Sequence, residues 1–246
     1  MLGMHGVSAA VARTRLGRRF LAGAVSDDVV LRWLVNTLSD QIAARSTFEG
    51  VAWSGSTFAD EVGVLSSNLL NHGVSRLMLD EAAYLYRLVG TLTRPRVVEI
   101  GRYRGGTTLL LAAAGASVLS IDVDPKVAEM DKALIEVLER RGLRPSVSLV
   151  LGDSRTQPVT AASQDVVFVD GDHSYEGARA DVEHWLPALA PGGHLALHDA
   201  FQPQPRRPWA DPWRVEGVWR LCRELLGEPR LELAGRAGTL AHFKLR

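Results

Sequence analysis

Residues 96–108, Arg-Val-Val-Glu-Ile-Gly-Arg-Tyr-Arg-Gly-Gly-Thr-Thr, constrain the fold more than any other stretch of this 246-residue chain. Val97, Val98 and Ile100 form a short apolar run with one acid, Glu99, set into it. The run breaks at Gly101 and loops through Tyr103 and Gly105-Gly106, and Thr107 and Thr108 lead into the apolar residues 109–114. This pattern predicts a buried strand, a tight glycine turn and a helix whose N-terminus points at the turn. Glycines let backbone approach a ligand closely, and the free N–H groups of a helix start suit a polar or anionic group. The loop is therefore a candidate cofactor cradle.

Downstream, strand and helix patterns alternate. Residues 117–122, 146–151, 165–170 and 194–199 read as further strands, and 125–141, 175–189 and 215–226 as helices, the middle one closed by Pro191-Gly192-Gly193. Two last runs, 230–234 and 239–245, joined by Gly235-Arg236-Ala237-Gly238, read as a hairpin. Regular alternation implies an α/β fold, a doubly wound, mostly parallel sheet with helices on both faces and a closing antiparallel hairpin. Upstream, Ser26 caps a helix running to about residue 45, 46–75 read as short helices and loops, and a second acid-first helix covers 79–91. The expected organisation is a flexible leader over 1–25, a helical extension over 26–91 and the α/β domain over 92–246.

Composition narrows the partners. With 28 basic and 28 acidic residues the net charge is zero, which argues against nucleic acid. One cysteine, Cys222, excludes an internal disulfide and a cysteine-rich metal site, and points to a reducing cytoplasm. No apolar run approaches the roughly 18 residues that span a bilayer. The arginines at 13, 15, 18 and 19 are not followed by the apolar segment of a secretory leader.

Each of the first five strands ends in a polar or acidic residue: Glu99; Asp122; Asp153 with Ser154; Asp170 with Asp172 and His173; His198 with Asp199. In a doubly wound sheet these ends converge on one rim, where ligands bind. One such acid is an ordinary turn residue, whereas five in succession define a site.

Glu99-Ile-Gly101-x-Tyr103-x-Gly105 resembles the first motif of class I S-adenosylmethionine-dependent methyltransferases, with Tyr103 in place of the usual middle glycine. Asp122, 23 residues after Glu99, matches the acid that holds the ribose hydroxyls. Gly152-Asp153-Ser154 resembles the segment beside the adenine, and Leu189-Ala-Pro-Gly-Gly193 and the final hairpin fit the same pattern. Val169-Asp-Gly-Asp-His-Ser-Tyr175 and Leu197-His-Asp199 bring the chain nearest to the macrocin-type and catechol-type O-methyltransferases. The resemblance covers about 78–246 and implies a Rossmann-like fold. The implied donor site comprises Glu99, Gly101, Tyr103, Gly105, Thr107, Asp122, Asp153, Ser154 and Asp170.

The chemistry agrees with that donor. A dinucleotide fingerprint needs a second glycine where the backbone meets pyrophosphate. Tyr103 would crowd a pyrophosphate there, and Glu99 would repel it. S-adenosylmethionine has no phosphate and carries a sulfonium and an ammonium, which acids favour.

The resemblance implies O-methylation of a small molecule, with a sugar or polyketide of a specialised pathway as the acceptor class. Metal-dependent members place a divalent ion at positions matching Asp170 and the end of the fifth strand, here His198 and Asp199. Mg²⁺ prefers oxygen ligands, so a set with one histidine suits Mn²⁺, Fe²⁺ or Zn²⁺ better. Without a metal, the base falls to His173, His198 or Asp172. Trp209 and Trp213, in the Pro-rich loop, are read either as an acceptor-pocket wall or as loop packing. The N-terminal helices are read as cover for the sheet edge or cofactor, as part of the acceptor pocket, or as a dimer face. The rival readings are an N- or C-methyltransferase, a nicotinamide-dependent oxidoreductase, and a donor-binding regulatory module.

Overall fold

The computed structural model describes residues 75–201 and 212–246. The expected leader, the first helix, residues 46–74 and Trp209 lie outside the described residues, and the Trp213 side chain is likewise not described. Helix α1 (Leu79–Gly90) precedes strand β1 (Arg96–Ile100), and α2 (Gly106–Ala113), β2 (Ser117–Asp122), α3 (Val127–Arg140), β3 (Val147–Leu151) and β4 (Gln164–Val169) follow. Then come α4 (Tyr175–Trp185), β5 (Leu189–Leu197), α5 (Pro212–Leu225), β6 (Leu231–Ala237) and β7 (Leu240–Leu245).

The seven strands lie in the order β3-β2-β1-β4-β5-β7-β6. All neighbours are parallel except β7, which runs antiparallel to both β5 and β6. The order reverses between β1 and β4, so the crevice beyond their C-terminal ends is the ligand position of such a sheet. Successive strand residues face opposite layers. Val97, Val118 and Val166 pack with Leu109, Leu134 and Leu138 of α2 and α3. Val98, Val167 and Leu195 pack with Val182 and Trp185 of α4 and with Leu221 of α5. Burial on both faces is why β1 reads as a continuous apolar run. Helix α1 sits on the α2 side, with Leu85 and Ala82 against Leu110, Phe168 and Ala196.

The largest differences from the sequence reading fall at the end of α4 and in the hairpin. Helix α4 stops at Trp185, and a 3-10 turn, Leu186–Ala188, carries Pro187, which cannot donate to a continuing helix. Pro191-Gly192-Gly193 therefore closes no helix. It lies inside β5, whose pairing jumps from Gln164↔Leu189 to Val166↔His194, a bulge that absorbs the segment. In the hairpin, Gly235 and Ala237 belong to β6, and the turn shrinks to Gly238-Thr239. An irregularity between Leu233 and Gly235 lets β6 continue.

Candidate active site

The glycine loop is shaped by close packing. Gly101 has φ +90°, and a Cβ on it would run into the Asp170 carbonyl. Gly105 has φ +82°, and a Cβ there would meet the Leu134 side chain. Tyr103, at φ +50°, pays the steric cost of the left-handed region without glycine's freedom. The guanidinium carbons of Arg76 and Arg104 lie 5.1 and 5.2 Å from its ring centre.

Asp122 does more than face the rim. Its Oδ2 accepts the backbone N–H groups of Arg102 and Tyr103 at 2.9 and 2.8 Å, and its Oδ1 accepts that of Asp124 at 2.9 Å. The carboxylate thus ties the loop to β2 and keeps one acceptor site, on Oδ1, for a ribose hydroxyl. Arg102, which sequence reasoning missed, lies wholly buried beneath the loop. It pairs with Asp131 of α3 and donates to the carbonyls of Ser120 and Val150.

Glu99 is fully buried. Its Oε2 accepts from Thr108 Oγ1 and Ser120 Oγ, both at 2.5 Å, and Oε1 has no hydrogen-bond partner among the described residues. Burial outweighs the two hydroxyl contacts and pushes its pKa up to about 7. An orphaned carboxylate oxygen under a glycine loop fits a cationic cofactor group. Thr107 is buried, with its hydroxyl 3.4 Å from that of Ser75.

The residues expected beside the adenine divide. Asp153 caps the 3-10 turn Ser154–Thr156 and pairs with Arg155, whose contacts hold its pKa down at about 2. Ser154 is buried and donates to Asp181 of α4. Its hydroxyl is engaged inside the fold with Asp181 rather than turned to the rim.

At the ends of β4 and β5, Asp170, His173 and Asp199 converge. Each offers one ligand atom, and the three atoms lie within 4.8 Å of one another. His173 Nε2 is 3.3 Å from Asp199 Oδ2 and 3.9 Å from Asp170 Oδ1. The hydrogen bond with Asp199 raises the His173 pKa, against its partial burial. Burial opposes ionisation of Asp199, but the charges of His198 and His173 outweigh it and hold its pKa well below the ordinary carboxylate range. Asp199 sits at φ +51°, a strained backbone at a strand end.

His198 was expected in this set as a ligand or base, and the structure gives it another place. It is buried, with Nδ1 2.9 Å from Asp170 Oδ1 and Nε2 3.1 Å from Glu81 Oε2. Carboxylates only accept, so a ring bonded to one at each nitrogen carries both protons and has no lone pair for a metal or a substrate proton. Burial disfavours that charge, but Asp170, Asp199 and Glu81 together raise the His198 pKa well above its ordinary value. Asp172 also stands outside the cluster. It is exposed at the start of α4, where its Oδ1 accepts the Ser174 N–H at 2.8 Å, while Ser174 is the N-cap.

Glu81, on α1, is the second residue that sequence reasoning missed. It is fully buried and takes four donors: Met78 N at 2.6 Å, His198 Nε2 at 3.1 Å, and the backbone N and hydroxyl of Thr239, both at 2.7 Å. Burial alone would raise its pKa, but His198 and these donors lower it. Its place in the first turn of an acid-first helix is legible in sequence. No local signal points to its partners.

Comparison with known proteins follows the same lines. Residues 98–200 match the family model described as "Methyltransferase domain". The magnesium-protoporphyrin O-methyltransferase of Rhodobacter capsulatus is 29% identical over 172 residues, 70% of each protein. An O-methyltransferase from Bacillus cereus, solved with S-adenosylhomocysteine, superposes with a TM-score of 0.56 at 20% identity, over 87% of this chain and 97% of that one. The S-adenosylhomocysteine-bound methyltransferase PaMTH1 of Podospora anserina gives 0.56 at 15% identity, over 93% and 94%. The fold is thus the one these methyltransferases share, and residues 98–200 match a methyltransferase domain within it. The likenesses in sequence and in fold are to methyltransferases, two of them solved with S-adenosylhomocysteine. Among the described residues no helix is long and apolar enough to cross a membrane.

Proposed function

We propose that the chain moves the methyl group of S-adenosylmethionine to a hydroxyl of a small molecule held at Asp170, His173 and Asp199. The observation that carries this reading is the meeting of two carboxylates and an imidazole at the β4 and β5 ends, beside the strand reversal. The donor is already activated, so the protein must align acceptor oxygen, methyl carbon and sulfur, and take one proton. Alignment is worth on the order of 7–11 kcal/mol at best, and a positioned base about 10²–10⁴-fold. Asp122 and the glycine loop hold the nucleoside end. Asp199 orients His173, and by raising its pKa makes the neutral imidazole a stronger proton acceptor.

The same three side chains fit a divalent ion, and two carboxylates with one imidazole suit Mn²⁺, Fe²⁺ or Zn²⁺. Such an ion would polarise the acceptor oxygen and lower its pKa.

The test has two arms. Calorimetry with S-adenosylmethionine should show tight binding by wild type and a large loss in Asp122→Ala; equal affinity removes the donor assignment. Turnover is then followed on a panel of hydroxylated sugars and polyketides, the class the resemblance implies, with amine and carbon acceptors as controls. His173→Ala should lose about 10²-fold or more. Full activity of that variant in EDTA discards the centre.

A further inference from the structure

We propose that Glu81 is a positioning residue for the methyl-transfer centre, setting the orientation of His198 so that this ring in turn fixes the Asp170 carboxylate. The proposal rests on the function read above and adds a member from the N-terminal side of the chain.

A glutamate at the third position of a helix needs only the N-cap backbone N–H to serve the helix start. Glu81 has that bond, to Met78, yet is wholly buried. Its other contacts reach across the fold, to Thr239 in the β6–β7 turn and to His198 at the end of β5. Even Gly238 is shaped by it, since a Cβ there would stand 2.5 Å from Glu81 Oε1. The four donors permit one placement of the carboxylate. That placement puts Oε2 against His198 Nε2 and turns Nδ1 toward Asp170 Oδ1. Thr239 Oγ1 also lies 3.3 Å from Asp199 Oδ1, so both acids of the site touch groups that Glu81 holds. This is the logic of a reacting group oriented by a second group that a third one fixes. The hydrogen bonds of Glu81 reach the site through His198 and Thr239, so its action passes through them.

The test compares full-length wild type, Glu81→Gln and Tyr84→Phe. Tyr84 lies on the same helix and bonds His242 on the hairpin at 2.8 Å, so its loss loosens the docking of α1 without touching the site. On the acceptor found by the panel, Glu81→Gln should lower kcat about 10–100-fold, with KM for S-adenosylmethionine within about twofold, while Tyr84→Phe stays near wild type. Nitrogen-15 NMR of the histidine rings gives a readout that needs no acceptor. In wild type both His198 nitrogens should show protonated, hydrogen-bonded signals, and in Glu81→Gln the Nδ1 signal as well as the Nε2 signal should shift. Equal losses in the two variants, a kcat unchanged in Glu81→Gln, or an Nδ1 signal that stays put overturns the proposal. If wild type binds the donor but methylates nothing, the functional reading fails and the NMR comparison still decides the role of Glu81.

Discussion

The guanidinium of Arg102 meets the carboxylate of Asp131 in a two-pronged pair, at 2.9 and 3.0 Å, directly beneath the glycine loop. The arginine side chain is completely buried and the aspartate is 18% exposed. Because the Arg102 backbone also donates to Asp122, the pair couples α3 to the cofactor rim. Breaking a buried pair from one side costs about 3–5 kcal/mol, since the remaining charge and carbonyls lose their partner. Arg102→Met is expected to lose about 3 kcal/mol in urea unfolding and to weaken donor binding. Arg102→Lys should recover only part, because an ammonium cannot reproduce the fork. A fully stable Arg102→Met would show the pair to be replaceable by packing.

Glycine substitutions separate close approach from backbone strain. Gly101 and Gly115 both have positive φ, at 90° and 99°, but only at Gly101 does an added Cβ strike backbone, while at Gly115 it meets nothing within 4 Å. Gly115→Ala should cost about 1–3 kcal/mol, the strain alone. Gly101→Ala should cost clearly more and abolish donor binding, because β1 and the turn after β4 must move apart. Thermal unfolding and calorimetry check the order, and equal effects at the two positions would contradict it.

Glu99 makes stability depend on pH in the unusual direction for an acid. Its pKa rises from 4.5 to about 7 through burial, so between those values the folded state binds the extra proton. Stability from this group is therefore full below about pH 4.5 and is lost as pH rises through 7. The span is worth roughly 3 kcal/mol. Measured by denaturant unfolding, the stability of Glu99→Gln relative to wild type should improve by about 2–3 kcal/mol between pH 5 and pH 8. A difference constant over that range would mean that Glu99 stays ionised in the fold.

Asp172 and His173 are neighbours with different duties. Asp172 serves the start of α4 through the Ser174 N–H, whereas His173 contacts Asp199. Asp172→Ala is expected to cost about 1 kcal/mol of stability, the worth of one hydrogen bond, and to leave turnover within a few fold. His173→Ala should leave stability nearly untouched and remove most turnover. The reverse pattern would move the base to Asp172.

Much of the architecture was legible because it is local. Apolar runs of strand length, the glycine turn at Gly101 and Gly105, and the acid-first helix at Leu79 depend on residues a few positions apart. The boundaries that moved involve long-range pairing: Pro191-Gly192-Gly193 has the composition of a turn, but strand β4 recruits it into a bulged partner.

By itself, the sequence determined an alternating α/β sheet whose strand ends carry acids and histidines, since strand periodicity and turn chemistry are written in neighbouring side chains. It could not say which histidine faces the site. His173 and His198 look equivalent on paper, and only packing shows that Glu81, 117 positions upstream, claims the second nitrogen of His198. Burial decided the rest. Arg102 and Glu81 carry no local mark of burial, and each becomes a fixed strut because the fold surrounds it with partners drawn from distant segments, where an unpaired charge would be too costly to keep.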